Sequence, residues 1–187
     1  MKKFNPIIIL ISLILLMSCN NKDYEPVTQQ DWKQKLQSEL SLLGHRNWIL
    51  VVDKAFPLQN AEGIKTIDTD ENLLDVLSYT LEQVENASHV KPIIYTDKEL
   101  GYMSPAMVPE IDKYRESLAG IIGESDIREL LHDTVFVKID EASKLFSILV
   151  LKTNETIPYS SVFLELDCRY WSSEKESGLR ELMQDSK

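Results

Sequence analysis

Apolar residues recur along this chain with two spacings, one typical of amphipathic helices and one of buried strands. Between about residues 30 and 43 they repeat every three to four positions, which predicts a helix with Gly44 as its C-terminal cap. The apolar run from Ile49 to Val52 then predicts a strand that is buried on both faces. The buried face of the helix is predicted to consist of Trp32, Leu36, Leu40 and Leu43.

The same patterns predict alternating elements as far as residue 123. A helix over about residues 70–84 begins after Thr69, a strand covers 91–96, and a helix runs from Pro109 to near Gly123. Because helices and strands alternate early and strands cluster late, we expect one α/β domain with a mixed β-sheet flanked by helices. In the last third, strands are predicted over 134–139, 146–151 and 162–168, and short helical pieces near 127–131 and 141–144.

The N-terminus has the composition of an export signal. Lys2 and Lys3 precede an apolar run, Ile7 to Met17, that is shorter than the roughly 20 residues a membrane span needs. Ser18 then precedes Cys19, so residues 1–18 resemble a bacterial lipoprotein signal peptide whose cleavage leaves a lipid on Cys19. An uncleaved anchor and a plain secretory signal are the alternatives. Each of the three puts the domain outside the cytoplasm.

These ends define the predicted organisation of the chain. Residues 19–29 carry the lipid and form a polar tether, and residues 30–171 form the domain. Residues 172–187 form a charged C-terminal tail, in which Leu179, Leu182 and Met183 would allow a final helix to dock. We expect a lipid-anchored protein of the bacterial cell envelope, on the periplasmic or the cell-surface face of the outer membrane.

Charge and cysteine content narrow the possible functions. The formal net charge is −10, and cleavage before Cys19 removes two lysines and no acid, which argues against nucleic acid as a partner. Cys168 is then the only ordinary thiol, so no disulfide is expected. The three histidines are too widely spaced to suggest a histidine-rich metal site, and the sequence has no phosphate-binding loop. No metal and no cofactor are expected.

Two ionisable residues bracket the first predicted strand. His45 either caps the preceding helix as a cation, favoured by the helix dipole, or acts as an acid and base. Asp53 either holds a turn or lies where α/β sheets bind ligands, at the carboxyl ends of strands. The other candidates are predicted to have structural roles. His89 and His132 are expected at surface or loop positions. Trp48, Tyr95 and Trp171 have rings that could stack on a sugar face, but core packing is expected for all three.

The motif around this strand resembles a known family. Gly44-His45, the apolar strand and the segment Asp53 to Pro57 resemble the N-terminal signature of the ribose pyranase and fucose mutarotase family, Gly-His, an apolar strand and Asp-x-x-x-Pro. Residues 91–94 and the pair Tyr114-Arg115 resemble the family's middle strand and acidic helix. Residues 153–164 resemble its closing segment. The resemblance spans about residues 30–168.

The resemblance implies exchange of a free monosaccharide, fucose- or ribose-like, between anomers or ring forms. His45 matches the family's catalytic histidine, and Asp53 matches the aspartate that binds the sugar. Tyr159 matches the tyrosine that reaches the sugar, as partner acid or as a positioning hydroxyl, and Ser161 stands at a substrate-binding position where the family has asparagine. The family's enzymes form rings without a cofactor, so a homo-oligomer is implied.

Two departures from the family leave the activity open. Ser161 keeps a hydroxyl but lacks the amide that donates and accepts at once. The family's ribose branch also has a histidine in a helix before the penultimate strand, and the predicted short segment Asp140 to Leu145 contains none. The alternatives are a non-catalytic monosaccharide-binding lipoprotein on the same scaffold, or a scaffold that keeps only the assembly.

Overall fold

A six-stranded mixed β-sheet forms the centre of the protein in the computed structural model, which describes residues 31–123, 125 and 127–185. The fold class predicted from the sequence, one α/β domain with helices flanking a mixed sheet, is confirmed. The elements in chain order are α1 (Trp32–Leu40), β1 (Trp48–Val52), β2 (Ile64–Asp68), α2 (Leu73–Asn86), β3 (Val90–Asp97), a 3-10 helix (Lys98–Tyr102), α3 (Ile111–Ile122), β4 (Ile127–Leu130), α4 (His132–Ser143), β5 (Ile148–Lys152), β6 (Val162–Cys168) and α5 (Ser173–Asp185).

One strand of the sheet runs against the other five. The order is β2-β5-β1-β6-β3-β4, and β6 is antiparallel to both of its neighbours, while the remaining neighbours pair in parallel. Strands β1 to β5 therefore all end on one side of the sheet, which we call the carboxyl rim, and β6 begins there. The opposite side, where β1 to β5 begin and β6 ends, is the amino rim.

Alternating side chains of the strands pack against helices on both faces of the sheet. On β1, Ile49 and Val51 face a cluster that includes α1, α2 and α3, whereas Trp48, Leu50 and Val52 face a cluster with α4. All five residues of β1 are buried. A shift of one residue in pairing would exchange the two sets, so this double burial fixes the register of the central strand.

The helix predictions are confirmed in position and corrected in their ends. The predicted face of α1 is buried, but α1 ends at Leu40, so Gly44 is not its cap. Helix α2 begins after Asn72, whose side chain accepts the N–H of Leu74, rather than after Thr69. Helix α3 ends as predicted, because Gly123 follows it with φ +63°, a left-handed conformation that glycine adopts at low cost.

Two predictions for the segment before β5 are wrong. Residues 134–139 belong to helix α4 instead of a strand, and residues 127–130 form strand β4 instead of a helical piece. The run Thr134 to Val137 is rich in β-branched residues, which favour strands. However, Val135 and Ile139 are four positions apart and fully buried, so packing of one helical face overrides that preference. The sequence pattern also missed strand β2.

The N-terminal segment lies outside the described residues, whereas most of the C-terminal segment is described. The predicted signal peptide, Cys19 and the tether lie outside the described residues. Near the other end, helix α5 forms within the segment expected to be a charged tail, and Leu179, Leu182 and Met183 on it are exposed. Among the described residues, no helix is long and apolar enough to cross a membrane.

Candidate functional site

The carboxyl rim collects polar side chains from four separate segments. Asp53 follows β1, Asp97 ends β3, His132 begins α4 directly after β4, and Tyr159 and Ser161 precede β6. They meet because β6 begins where its parallel neighbours end. Ligand sites of open α/β sheets commonly lie at the carboxyl ends of the strands. Three of the residues proposed from the sequence, Asp53, Tyr159 and Ser161, therefore come together at one rim.

Asp53 and Ser161 form a closed hydrogen-bonded pair across β1 and β6. The Ser161 hydroxyl donates to Oδ2 of Asp53 at 2.9 Å and accepts the Asp53 backbone N–H at 3.2 Å. The other carboxylate oxygen, Oδ1, accepts the N–H of Ala55 at 2.8 Å. Ser161 is only 1% exposed, whereas Asp53 is partly exposed. Ser161 thus holds the Asp53 carboxylate in place, and Asp53 is the member of the pair that faces solvent.

Asp97 and His132 form a second pair at the same rim. Oδ2 of Asp97 lies 2.8 Å from Nδ1 of His132, and the side chains are 0% and 35% exposed. The backbone N–H of His132 donates to the Glu99 carboxylate at 3.1 and 3.2 Å, which anchors an anionic group at the start of α4. An ionised Asp97 can only accept, so Nδ1 of His132 carries a proton, and in the neutral form of the ring the lone pair is then on Nε2.

Burial raises the pKa of Asp97 from 3.8 to about 6. The hydrogen bond from His132 opposes this rise because it favours the ionised carboxylate, while the negative charges of Glu99 and Asp53 add to it. Oδ1 of Asp97 is buried and has no hydrogen-bond partner among the described residues. Asp97 therefore changes its protonation state close to the pH range in which histidines usually titrate.

Tyr159 is held beside His132 by a strained loop. Its φ of +57° is unusual for a residue other than glycine and costs on the order of 1 kcal/mol or more. The Tyr114 hydroxyl donates to the carbonyl of the adjacent Ser160 at 2.7 Å, and burial raises the pKa of Tyr114, which keeps it a donor. The Tyr159 ring is 37% exposed and stands edge-on to the His132 ring, with 5.3 Å between centroids.

His45, the remaining residue proposed from the sequence, lies at the amino rim. Strand β1 separates it from Asp53, and a five-residue strand alone is about 16 Å long. Nδ1 of His45 lies 3.1 Å from Oδ1 of Asp167, and Nε2 accepts the Nε–H of Arg46 at 3.3 Å. Asp167 also pairs with Lys91 at 3.4 Å. Within one chain, His45 does not approach Asp53 or Tyr159.

The sequence pattern does not reveal the Asp97–His132 pair, and His132 is the first residue of α4 rather than a loop residue. The helix before the penultimate strand, α4, does begin with a histidine. The expectation that this segment lacks one followed from assigning residues 134–139 to a strand. The spacing of Val135, Ile139 and Ala142 is the signal that could have identified a helix beginning at His132.

The structural roles predicted for one further histidine and three aromatic residues are confirmed only in part. His89 is structural, since its Nε2 lies 3.0 Å from the carbonyl of Leu43. Trp48 and Tyr95 are buried as predicted, but Trp171 is 41% exposed, so its predicted core packing is wrong. In the part of the chain that the structure describes, no cluster of three or more His, Cys, Asp or Glu side chains could hold a metal ion.

Comparisons with known proteins find similar structures but no similar sequence. No family model matches the chain, and no curated protein matches it. RbsD of Bacillus subtilis, solved with D-ribose, has 19% identity and a TM-score of 0.49 over 70% of this chain and 89% of that one. The fucose mutarotase of Streptococcus pneumoniae, solved with L-fucose, has 20% identity and a TM-score of 0.46 over the same shares. FucU of Bifidobacterium longum has 18% identity and a TM-score of 0.45, over 70% and 91%.

The raised pKa of Asp97 predicts a pH-dependent gain in stability for Asp97→Asn. Below pH 3.8 Asp97 is mostly protonated in both the folded and the unfolded chain, and the penalty for burying its charge grows as the pH rises from 3.8 to about 6 and is constant above that. One pKa unit corresponds to about 1.4 kcal/mol, so removing this penalty is worth up to about 3 kcal/mol above pH 6. Urea unfolding at pH 4.5 and pH 7.5 measures the gain, which should be larger at pH 7.5.

Asp140→Asn is the matched control, because Asp140 is an exposed carboxylate on α4. It should change stability little at either pH. A loss of stability for Asp97→Asn that is greater at pH 7.5 than at pH 4.5 would show that the ionised Asp97 is a net stabilising group.

Proposed function

We propose that this protein interconverts anomers or ring forms of a free monosaccharide by general acid–base catalysis at the carboxyl rim. The observation that carries the proposal is the Asp97-bound His132 beside Tyr159, at the rim where Asp53 offers a carboxylate to solvent. The order of the Gly-His, Asp-x-x-x-Pro and closing tyrosine motifs, which resembles the ribose pyranase and fucose mutarotase family, supports the same function. No cofactor takes part in this reaction.

The reaction requires one group to take a proton and another to supply one. Ring opening removes the proton of the anomeric hydroxyl and protonates the ring oxygen, and ring closure reverses both transfers. Nε2 of His132 suits the first role because Asp97 fixes the proton on Nδ1 and stabilises the imidazolium that forms. Tyr159 is the partner acid or a hydroxyl that positions the sugar. Such assistance is typically worth roughly 10² to 10⁴ in rate.

Asp53, Ser161 and Asp97 have supporting roles in this proposal. Asp53 accepts hydrogen bonds from sugar hydroxyls, and Ser161 positions Asp53 from a buried location. Asp97 is a positioning residue that acts on the sugar through His132. The buried hydroxyl of Ser161 is also the observation that favours the alternative, a non-catalytic monosaccharide-binding protein, because this position presents no free polar group to a sugar.

His45 joins the same site only from a second copy of the chain. It lies at the amino rim, and its half-exposed ring can face the carboxyl rim of a neighbouring molecule. We therefore propose a homo-oligomer in which the amino rim of one copy meets the carboxyl rim of the next. Contacts of this head-to-tail type form a ring when the rotation between copies closes.

Export and lipid attachment at Cys19 are also part of the proposal and rest on the N-terminal sequence pattern alone. Growth of a bacterial expression strain with radiolabelled palmitate tests this part. The wild-type chain should carry the label and fractionate with membranes, and Cys19→Ser should lose both properties. Label that persists on the Cys19→Ser variant would contradict lipid attachment at this residue.

Exchange between anomers, followed by NMR saturation transfer, tests the catalytic role of His132. With L-fucose, D-ribose and related sugars, the wild-type protein should accelerate exchange of at least one of them above the rate in buffer. His132→Ala should remove roughly 10²-fold or more of that acceleration, because it deletes the proposed base. His89→Ala, which alters a histidine bonded only to the Leu43 carbonyl, should leave the rate unchanged.

The same experiment separates the two candidate functions. A folded wild-type protein that binds a sugar by calorimetry but accelerates no exchange would favour the non-catalytic binding protein. Absence of both binding and exchange would contradict both functions.

Mixed oligomers test whether His45 and His132 act on one sugar from different copies. His45→Ala and His132→Ala should each be impaired, whereas co-refolding equal amounts should restore about a quarter of the wild-type sites by random assembly. The double variant, co-refolded with itself, is the control that should stay inactive. Full activity of His45→Ala alone, or no recovery in oligomers shown by light scattering to be mixed, would contradict a shared site.

A further inference from the structure

A second cleft, of about 750 Å³, lies at the amino rim beside His45. One wall consists of His45, Arg46, Lys91 and Asp167, and the other consists of residues 170–174 and 176, around the start of α5. Residues 169–187 lie beyond the part of the chain that resembles the sugar-converting family. This second wall is therefore a feature of the C-terminal segment of this protein, and the proposed reaction makes no use of it.

Trp171 presents a fixed aromatic surface to this cleft. It is 41% exposed, whereas Trp32 and Trp48 are 5% and 3% exposed. The indole N–H donates to Oε2 of Glu176 at 2.9 Å, and Arg180 donates to the other oxygen of Glu176 at 2.7 Å. The bond from Trp171, together with that from Arg180, lowers the pKa of Glu176, so the carboxylate stays ionised at neutral pH. The ring is thus held in place before any ligand arrives, which reduces the entropic cost of binding.

The opposite wall supplies hydrogen-bonding groups of both charges. Asp167 pairs with both His45 and Lys91, and Arg46 donates to the His45 ring. Counting the lining residues with neutral histidine, two cations face three carboxylates, those of Asp167, Glu174 and Glu176. Such a cleft offers both donors and acceptors to hydroxyl groups, and its slight negative excess disfavours phosphorylated or acidic ligands.

We propose that this cleft is a subsite for the pyranose ring of a neutral saccharide, with Trp171 as the platform on which the ring stacks. The negative face of an aromatic ring attracts the partly positive C–H groups on one face of a pyranose, while the ring hydroxyls reach the His45–Asp167 wall. The inference rests on the proposed function in taking a saccharide as the ligand. Where copies meet rim to rim, Trp171 accompanies His45 into the sugar site and determines which sugar fits.

Methyl glycosides test this subsite independently of catalysis, because a methylated anomeric oxygen prevents ring opening. Trp171 is the one exposed indole of the three in the sequence, so quenching of tryptophan fluorescence by acrylamide reports mainly on it. The methyl pyranosides of glucose, galactose, xylose and L-fucose are the probes. At least one of them should protect Trp171 from acrylamide quenching, and the protection should reach a plateau as the glycoside concentration rises. Glucose 6-phosphate should protect Trp171 less than glucose does.

Calorimetry on variants assigns the binding to the aromatic ring. Trp171→Ala should weaken binding of the protecting glycoside about tenfold, and Trp171→Phe, which keeps an aromatic face, should weaken it less. Leu179→Ala removes an exposed side chain of α5 that does not line the cleft, and it should leave the affinity unchanged. Circular dichroism that matches the wild type would show that α5 remains folded in these variants.

The outcomes separate this inference from the proposed function. Anomer exchange without protection of Trp171 by any sugar would overturn the subsite and leave the catalytic proposal standing. Protection by methyl glycosides without exchange of any free sugar would contradict the catalytic proposal and leave the subsite standing. Equal affinity of wild type and Trp171→Ala for the protecting glycoside would also overturn the subsite.

Discussion

The antiparallel pairing of β6 with β1 and β3 determines where the functional side chains of this protein lie. Because β6 begins where its neighbours end, Ser161 and Tyr159 are brought to Asp53 and Asp97, which follow or end parallel strands. The same strand ends at the amino rim, where Asp167 meets His45 and Lys91. One strand therefore contributes to both rims, and a change in its register would alter both polar clusters.

Burial of the ionised Asp97 carboxylate at the carboxyl rim costs free energy. This carboxyl group is buried away from solvent, and one of its oxygens has no hydrogen-bond partner among the described residues. Two further carboxylates, those of Glu99 and Asp53, lie near it. Among the described residues, His132 favours its ionised form, through its hydrogen bond and its charge. A fold selected for stability alone would replace such a group, so its presence at the rim is more readily explained by a task for His132. The strained backbone of Tyr159 at the same rim is a second cost of this kind.

The sequence predicted the elements whose signal is local and missed those that depend on topology. Strand β1 is apolar throughout and β6 begins with the apolar run Val162 to Leu164, so their burial was predictable. Asp53 and Tyr159 were identified by motifs next to those strands. Strand β4 is an edge strand whose residues are mostly exposed, and its sequence has no apolar pattern. Without β4, nothing in the sequence brings His132 to Asp97, which lies 35 positions away. The contact is a property of the strand order, which single-sequence patterns do not encode.

The proposed site shared between copies and the proposed lipid anchor together restrict how copies of this chain can assemble. If the amino rim of one copy meets the carboxyl rim of the next, the contact is head-to-tail, and repetition forms a ring with one axis when the rotation between copies closes. Cyclic symmetry makes every copy equivalent about that axis, so the lipids proposed on Cys19 would all lie on one side of the ring and could enter one membrane. Two rings stacked back to back would direct half of the anchors away from that membrane. The proposed lipid attachment would therefore favour a single ring, in which each proposed site would combine the Asp97–His132 pair of one copy with the His45 and Trp171 cleft of its neighbour.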